Sequence, residues 1–381
     1  MRTLYKILSL SFFLCSFVIG KEKSVLVTVE NPTDIDRKSE TVSLSLKDLT
    51  QRLKPIDVNR LVVLDAKTGT LILSQLTEDR LLFQSDFGPD ERKEFAIKQT
   101  NKETTKPQSL VDGRFELPRE DYAWENDRVA FRMYGPALAA EVNNGIDVWT
   151  KRVKYLIVDK WYSASAAAGK DTYHEDHGEG ADFFSVGKTL GAGGTGIWLN
   201  GKVYQPGVFS TQKTICNGPI RVTFELTYSN WNIDGKKFTE RKRISLDAGQ
   251  SLNKVEVTFE GLEGGDSLSI ACGLVKRGNT KISTDEEQRW MGLWGLTNGD
   301  SVNGFLGTAV IVPESAFFQF ADDRDQYLII GKTKANEPFT YYAGAGWSKS
   351  SDFTTENDWN SYLRICARKL RKPLKLSIRP R

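Results

Sequence analysis

Apolar and polar residues alternate with a period of two along most of this chain, the spacing that puts one face of a β-strand inside and the other in water. Residues 24–29 (SVLVTV) and 41–46 (TVSLSL) show it early. Residues 61–65 (LVVLD) run into Lys67-Thr68-Gly69-Thr70, a turn, and Leu71-Ile72-Leu73 returns. Asn31-Pro32-Thr33-Asp34 marks another turn. This grammar predicts a small β-sandwich over residues 23–100, of the immunoglobulin-like kind. Residues 98–109 (KQTNKETTKPQS) are polar without periodicity and read as a linker. From residue 110 the strands lengthen: 128–134, 220–228, 241–246, 252–259, 268–274 and 327–331, with turns at Asn232-Ile233-Asp234-Gly235 and Asp247-Ala248-Gly249. Residues 155–161 (YLIVDKW) also read as a strand. Residues 357–370 are the best helix candidate, because Trp359, Tyr362, Leu363, Cys366 and Leu370 share one helical face; a strand is the competing reading. The expected class is all-β, with the small sandwich followed by a large two-sheet sandwich over residues 110–381.

The chain begins with a different pattern. Arg2 and Lys6 precede a short apolar run to Ile19, and Val18 and Gly20 are small enough for a cleavage site. The run is shorter than the roughly 20 apolar residues of a membrane span, so residues 1–20 read as a signal peptide. Leu14 is too large to precede a lipidated Cys15. The expected location is therefore the periplasm, the cell surface or the medium, with no transmembrane segment after cleavage. Losing Arg2 and Lys6 takes the formal net charge from +3 to +1. A nucleic-acid partner needs a clear basic excess, and none is present. Cys216, Cys272 and Cys366 remain; three thiols without a CxxC pair suit neither a zinc ribbon nor a thioredoxin-like site. They read as small buried hydrophobes, with one disulfide as the alternative.

Both histidines of the chain lie in one segment, Asp171-Thr172-Tyr173-His174-Glu175-Asp176-His177-Gly178-Glu179-Gly180-Ala181-Asp182. A flexible glycine stretch, GAGGTG at 191–196, follows it. Loops on a rigid β-scaffold are where catalytic groups concentrate. Three readings stand for this loop. It could be a solvated charged turn without chemistry. His174 and His177 with the neighbouring carboxylates could hold a divalent metal, although the HExxH spacing is absent. Or a histidine and a tyrosine could move protons, which imidazole does near neutral pH without extreme tuning. GAGGTG lacks the context of a phosphate loop, and no GxSxG elbow occurs; no organic cofactor is expected.

Tryptophans such as Trp161 and Trp290 could stack on the apolar faces of sugar rings, against the ordinary alternative of core packing. Arg132 and Tyr134 end a predicted strand and could face a cleft, and Arg289 stands beside Trp290 in a similar setting. An arginine fork matches a uronate carboxylate.

The succession of long antiparallel strands resembles the galactose-mutarotase-like super-sandwich, which recurs in carbohydrate epimerases and polysaccharide lyases; fold by itself does not give function. Three runs resemble something narrower: FRMYGPALAAE (131–141), DTYHEDHGEGADFFSVGKTLGAGG (171–194) and GPIRVTFELTY (218–228). They are similar to a secreted family of marine Bacteroidetes, long carried as a domain of unknown function, whose members accompany polysaccharide-degrading enzymes in polysaccharide utilization loci. The resemblance covers most of residues 110–370. It implies an oligosaccharide dehydratase acting on ulvan fragments. Such an enzyme removes water from a non-reducing-end uronic acid and leaves a 4,5-unsaturated uronyl end, which an unsaturated-glucuronyl hydrolase could then cleave. This β-elimination needs a base for the C5 proton, an acid for the departing 4-hydroxyl and a cation for the carboxylate. The residues suited to these tasks are His174 or His177 as base, Tyr173 or Tyr134 as acid, and Arg132 as carboxylate clamp. A glycoside hydrolase built on the loop carboxylates, a mutarotase or epimerase, and a non-catalytic carbohydrate-binding protein are the competing functions.

Overall fold

The computed structural model describes residues 24–54, 56–101, 107–261, 266–334 and 336–380; the signal-peptide reading concerns residues outside these. As the alternation predicts, the chain is mostly antiparallel sheet.

The N-terminal unit is a sandwich of a five-stranded and a three-stranded sheet. Val25, Val27 and Val29 point from Ser24–Glu30 onto Leu44, Phe83 and Phe87 of the facing layer, with Phe95 and Ile97 beside them. Helix α1 (Leu46–Leu53) closes one end, and its N-cap Ser45 accepts from the Asp48 amide. The outer strand of the larger sheet comes from the far end of the chain: Lys375–Pro380 pairs antiparallel with Ser24–Glu30. The last residues thus belong with the first, not with the large unit into which the sequence pattern places them. Of the polar linker, Lys98 and Gln99 still belong to the strand Arg92–Gln99.

The large unit stacks an eight-stranded sheet on a five-stranded one that contains Ala192–Leu199, Ser267–Val275 and Gln326–Lys334. Val255, Val257, Ile270, Cys272 and Ile329 fill the space between them. The GAGGTG segment is a buried strand here and no flexible loop. Its glycines let backbones touch: a Cβ on Gly193 would sit 2.3 Å from that of Ala343. Cys216, Cys272 and Cys366 are free thiols, and Cys272 is fully buried.

Residues 357–370 form a helix, α2, over Glu356–Arg371, begun by a capping box of Thr355 and Asp358. It lies on the outer face of the eight-stranded sheet. Trp359 is fully buried there over Gly307 and Gly346, where any Cβ would fall within 3 Å of its ring. Removing that ring leaves a cavity that the glycines cannot fill. Trp359→Ala is expected to cost about 3–5 kcal/mol, read as an earlier denaturant midpoint for the large unit.

A further five-stranded sheet carries the candidate site. It orders Gly180–Ala181, Asp147–Lys151, Ala130–Met133, Asp121–Asn126 and Val111–Glu116. Tyr122, Trp124, Phe131, Met133 and Val148 pack against the eight-stranded sheet. The opposite face is covered by a helix over Val158–Ala168, where the sequence pattern predicts a strand. Its first amides, Ile157 and Val158, both donate to the Glu125 carboxylate at 2.7 Å, an anion held at a helix N-terminus. Gly169 ends it at a positive φ of 64°. Glu125 is a long-range partner, which local periodicity in residues 155–161 does not reveal.

Candidate functional site

Period-two alternation sorts the side chains of this sheet into two sets. Tyr122, Trp124, Phe131 and Met133 go to the core; Asp121, Ala123, Glu125, Ala130, Arg132, Asp147, Trp149 and Lys151 go to the other face. Register then places Arg132 directly opposite Asp147 on one side and Ala123 on the other. Pleat and pairing alone bring Arg132 together with Asp147 and Asp121; Asp182 arrives from the loop that follows Gly180–Ala181.

The Arg132 guanidinium is almost fully enclosed. Nε donates to Asp147 Oδ2 at 3.0 Å and Nη2 to Asp182 Oδ2 at 2.8 Å. Asp121 stands 3.6 Å from Nη1. The phenols of Tyr134 and Tyr173 lie at 3.3 Å, and the rings of Tyr134, Trp149 and Tyr173 surround the cation at 4.9–5.7 Å. Arg132, expected to clamp a substrate carboxylate, is thus already spent on protein carboxylates and phenols.

Three buried carboxyl groups around one cation cannot all ionise cheaply. Burial pushes the Asp121 carboxyl up to about 7 against the pull of Arg132, with repulsion from Asp147 adding to it. Burial and the Asp147 charge push Asp182 well above the carboxylate range too, despite Arg132. Burial and Asp147 also hold the Tyr134 phenol well above its ordinary value, so it stays protonated. Burial acts against the charge of Arg132, but Asp147 keeps it firmly cationic.

The histidine loop closes over this cluster. The Asp182 amide donates to the Tyr173 carbonyl at 2.8 Å, and Thr150 Oγ1 donates to the Ala181 carbonyl at 2.7 Å. Gly180 fits because a Cβ there would lie 2.0 Å from the Thr150 carbonyl oxygen. Tyr173 is buried, stacked on Trp149 at 4.8 Å. His174 stands at the rim, half exposed, with Nδ1 3.1 Å from the Asp182 carbonyl oxygen. A carbonyl only accepts, so in the neutral imidazole that contact places the proton on Nδ1 and the lone pair on Nε2.

Arg132, Tyr134, His174 and Asp182 line one open pocket of about 410 Å³, together with Glu141, Phe183, Phe184 and Asn298. The other sequence candidates lie elsewhere. His177 is exposed and does not line the pocket. Trp161 stacks on the back of Trp149 at 5.5 Å and donates to Glu179. Arg289 lines a separate cleft under the C-terminal end of α2 and pairs with Glu314 at 3.1 Å. Trp290 is buried beneath α2 with Trp359 and Leu363. Asp121, Asp147, Glu141 and Asn298 escaped the sequence reading. The signal for the first two was a charged residue opening a short period-two strand, in D-Y-A-W-E and D-V-W-T-K. Among the described residues no group of three His, Cys, Asp or Glu side chains is placed to hold a metal ion; the three aspartates converge on a guanidinium instead.

The chain belongs to a family described as a domain of unknown function, DUF4861, matched over residues 29–376. That span runs from the first strand to the last. It is 32% identical over 383 residues to "Uncharacterized protein P7" of the marine Bacteroidete Formosa agariphila, covering 93% of each chain. Its fold is similar to a solved protein in glycosyl hydrolase family 38 from Enterococcus faecalis, with a TM-score of 0.52 and 9% identity. That match covers 95% of this chain and 48% of the other, so the chain spans about half the length of the solved protein, and the likeness is one of fold alone.

The raised carboxyl of Asp121 has a consequence for stability. It keeps its proton up to about pH 7 when folded, whereas its ordinary value is 3.8. Between those values the folded state binds a proton that the unfolded state has lost, so stability falls as pH rises through the window. Asp121→Asn has no proton to lose. From about pH 4 to about pH 7 the wild type should lose up to about 4 kcal/mol relative to the variant, measured by denaturant unfolding at a series of pH values.

Proposed function

We propose that this chain is a carbohydrate-active lyase of the hydro-lyase type, acting outside the cytoplasm. It eliminates water from the non-reducing-end uronic acid of ulvan-type oligosaccharides and leaves a 4,5-unsaturated uronyl end. The observation that carries the reading is the meeting, in one open pocket, of a histidine with a free Nε2, a phenol held protonated, and a buried carboxyl held protonated. Two of the three sequence runs that resemble the dehydratase family, 131–141 and 171–194, supply these groups.

In this reading His174 Nε2 takes the C5 proton, which the adjacent carboxylate acidifies. Tyr134 protonates the departing 4-hydroxyl, and the C4–O bond breaks as the C4=C5 bond forms. Negative charge builds on the sugar carboxylate in between. A fully ionised trio of aspartates would repel it. With Asp182 neutral and Asp121 partly so, the floor of the pocket is close to electroneutral, and the Asp182 carboxyl can donate a hydrogen bond to the developing enolate-like charge. Arg132 keeps these groups in place and is not itself the clamp. Phe183 and Phe184 offer apolar surface for a sugar ring.

A glycoside hydrolase is the second reading, favoured by one observation: Glu141 and the raised carboxyl of Asp182 line the same pocket. The two are separated by incubating saturated uronate-ended oligosaccharides with the protein. The lyase yields a new enoate absorbance and a product lighter by one water; the hydrolase yields new reducing ends without absorbance. His174→Ala and Tyr134→Phe should each lower the elimination rate about a hundred- to ten-thousand-fold, whereas His177→Ala should stay close to wild type. Loss of activity in His177→Ala alone would reverse the assignment of the base.

A further inference from the structure

Deeply buried cations in this protein meet carboxylates. Arg37 pairs with Glu40, Lys151 with Glu125 and Lys242 with Glu240, while Arg132 faces three aspartates. Arg277 is the contrast. It is half-buried, and among the described residues no carboxylate stands within ion-pairing distance of it. Its Nη2 donates to the Leu306 carbonyl at 2.9 Å, and Nη1 reaches the Leu296 carbonyl at 3.4 Å. Its Nε is buried without an acceptor. A guanidinium carries five N–H donors, so most of them are uncommitted, and among the described residues no carboxylate balances the charge. Burial pushes this guanidinium down to about 10, still cationic at neutral pH.

Its position relates it to the pocket. The guanidinium carbon lies 5.7 Å from the ring centre of Phe184, a wall residue. The Leu296 carbonyl that it holds opens the short turn Thr297–Gly299, which carries Asn298 to the rim with a left-handed φ of 51°. A single side chain therefore braces two parts of the pocket lining from behind and sets beside them a positive charge with no carboxylate partner among the described residues. Arg132, at the floor, is charge-balanced by its own aspartates.

We propose that Arg277 is the residue that selects an anionic sugar at this site, through the oxyanion of a uronate carboxylate or of a sulfate group on the bound oligosaccharide. This rests on the reading of the pocket as a sugar site. His174 and Tyr134 do the chemistry over a near-neutral floor, and the guanidinium behind Phe184 gives the site its preference for charge.

Calorimetric binding to the full chain carrying His174→Ala, which holds turnover out of the measurement, tests this. The probes are a glucuronate-ended oligosaccharide, its glucose-ended neutral counterpart, and a neutral oligosaccharide bearing sulfate. With Arg277 present, at least one anionic probe should bind about tenfold tighter than the neutral one at low salt, and the preference should shrink as salt rises. Which probe shows it identifies the oxyanion. Arg277→Gln should abolish the preference, and Arg277→Lys should retain most of it while losing one of the two carbonyl contacts. Because the measured quantity is a ratio between probes on one preparation, a partly unfolded variant does not mimic the effect. The proposal is overturned if no anionic probe is preferred, if the preference survives Arg277→Gln, or if Arg277→Lys loses it as fully as Arg277→Gln. A charge preference that depends on Arg277, in a wild type that releases no water from any uronate, would leave this inference standing and remove the dehydratase.

Discussion

The site rests on one buried guanidinium. Arg132 draws Asp121, Asp147 and Asp182 into a space from which water is largely excluded, and it orients the phenols of Tyr134 and Tyr173 around itself. Charges in such a space interact strongly and are costly to leave unbalanced. One cation does not offset three anions, so the cluster settles by keeping protons on carboxyl groups that would be ionised in water. The chemistry proposed for the pocket depends on that settlement, because it supplies hydrogen-bond donors in place of a wall of negative charge.

The rest of the fold makes the settlement possible. A sheet with aromatic side chains on its inner face and charged ones on its outer face would be unstable alone. The helix over Val158–Ala168 and the loop over residues 171–182 cover the charged face, and Glu125 ties the helix to the sheet through the amides of Ile157 and Val158. The loop is fastened at Thr150 and at Tyr173, and Gly180 allows it to lie against the strand beneath. His174 is then the one histidine that reaches the rim, while His177, three residues on, faces solvent.

Much of this was legible in the sequence, for physical reasons. Alternation reports burial on one face, so the strands, the two sandwiches and the all-β class could be read directly. The apolar stripe of α2 likewise points to a helix over 357–370, and the structure decides for it over a strand. The histidine loop stood out because it holds both histidines. What was not legible depended on partners distant in sequence. The helix over Val158–Ala168 is started by Glu125, more than 30 residues earlier, and residues 155–161 taken alone look like a strand. The GAGGTG run looked flexible because glycine permits flexibility, yet here it permits close packing against Ala343. Arg132 looked like a substrate clamp because the aspartates that occupy it come from two other strands and the loop. The return of Lys375–Pro380 to the first strand has no local signature at all.

The proposed chemistry depends on the protonation of the cluster, and Asp182 is the carboxyl of that cluster that lines the pocket. Infrared difference spectra of the wild type against Asp182→Asn, recorded in the carboxyl carbonyl region at neutral pH, read it directly. The account predicts a protonated-carboxyl band in the wild type that is missing in the variant and that disappears only well above the ordinary carboxylate range. A spectrum showing Asp182 ionised at neutral pH, with its titration in that ordinary range, would contradict it.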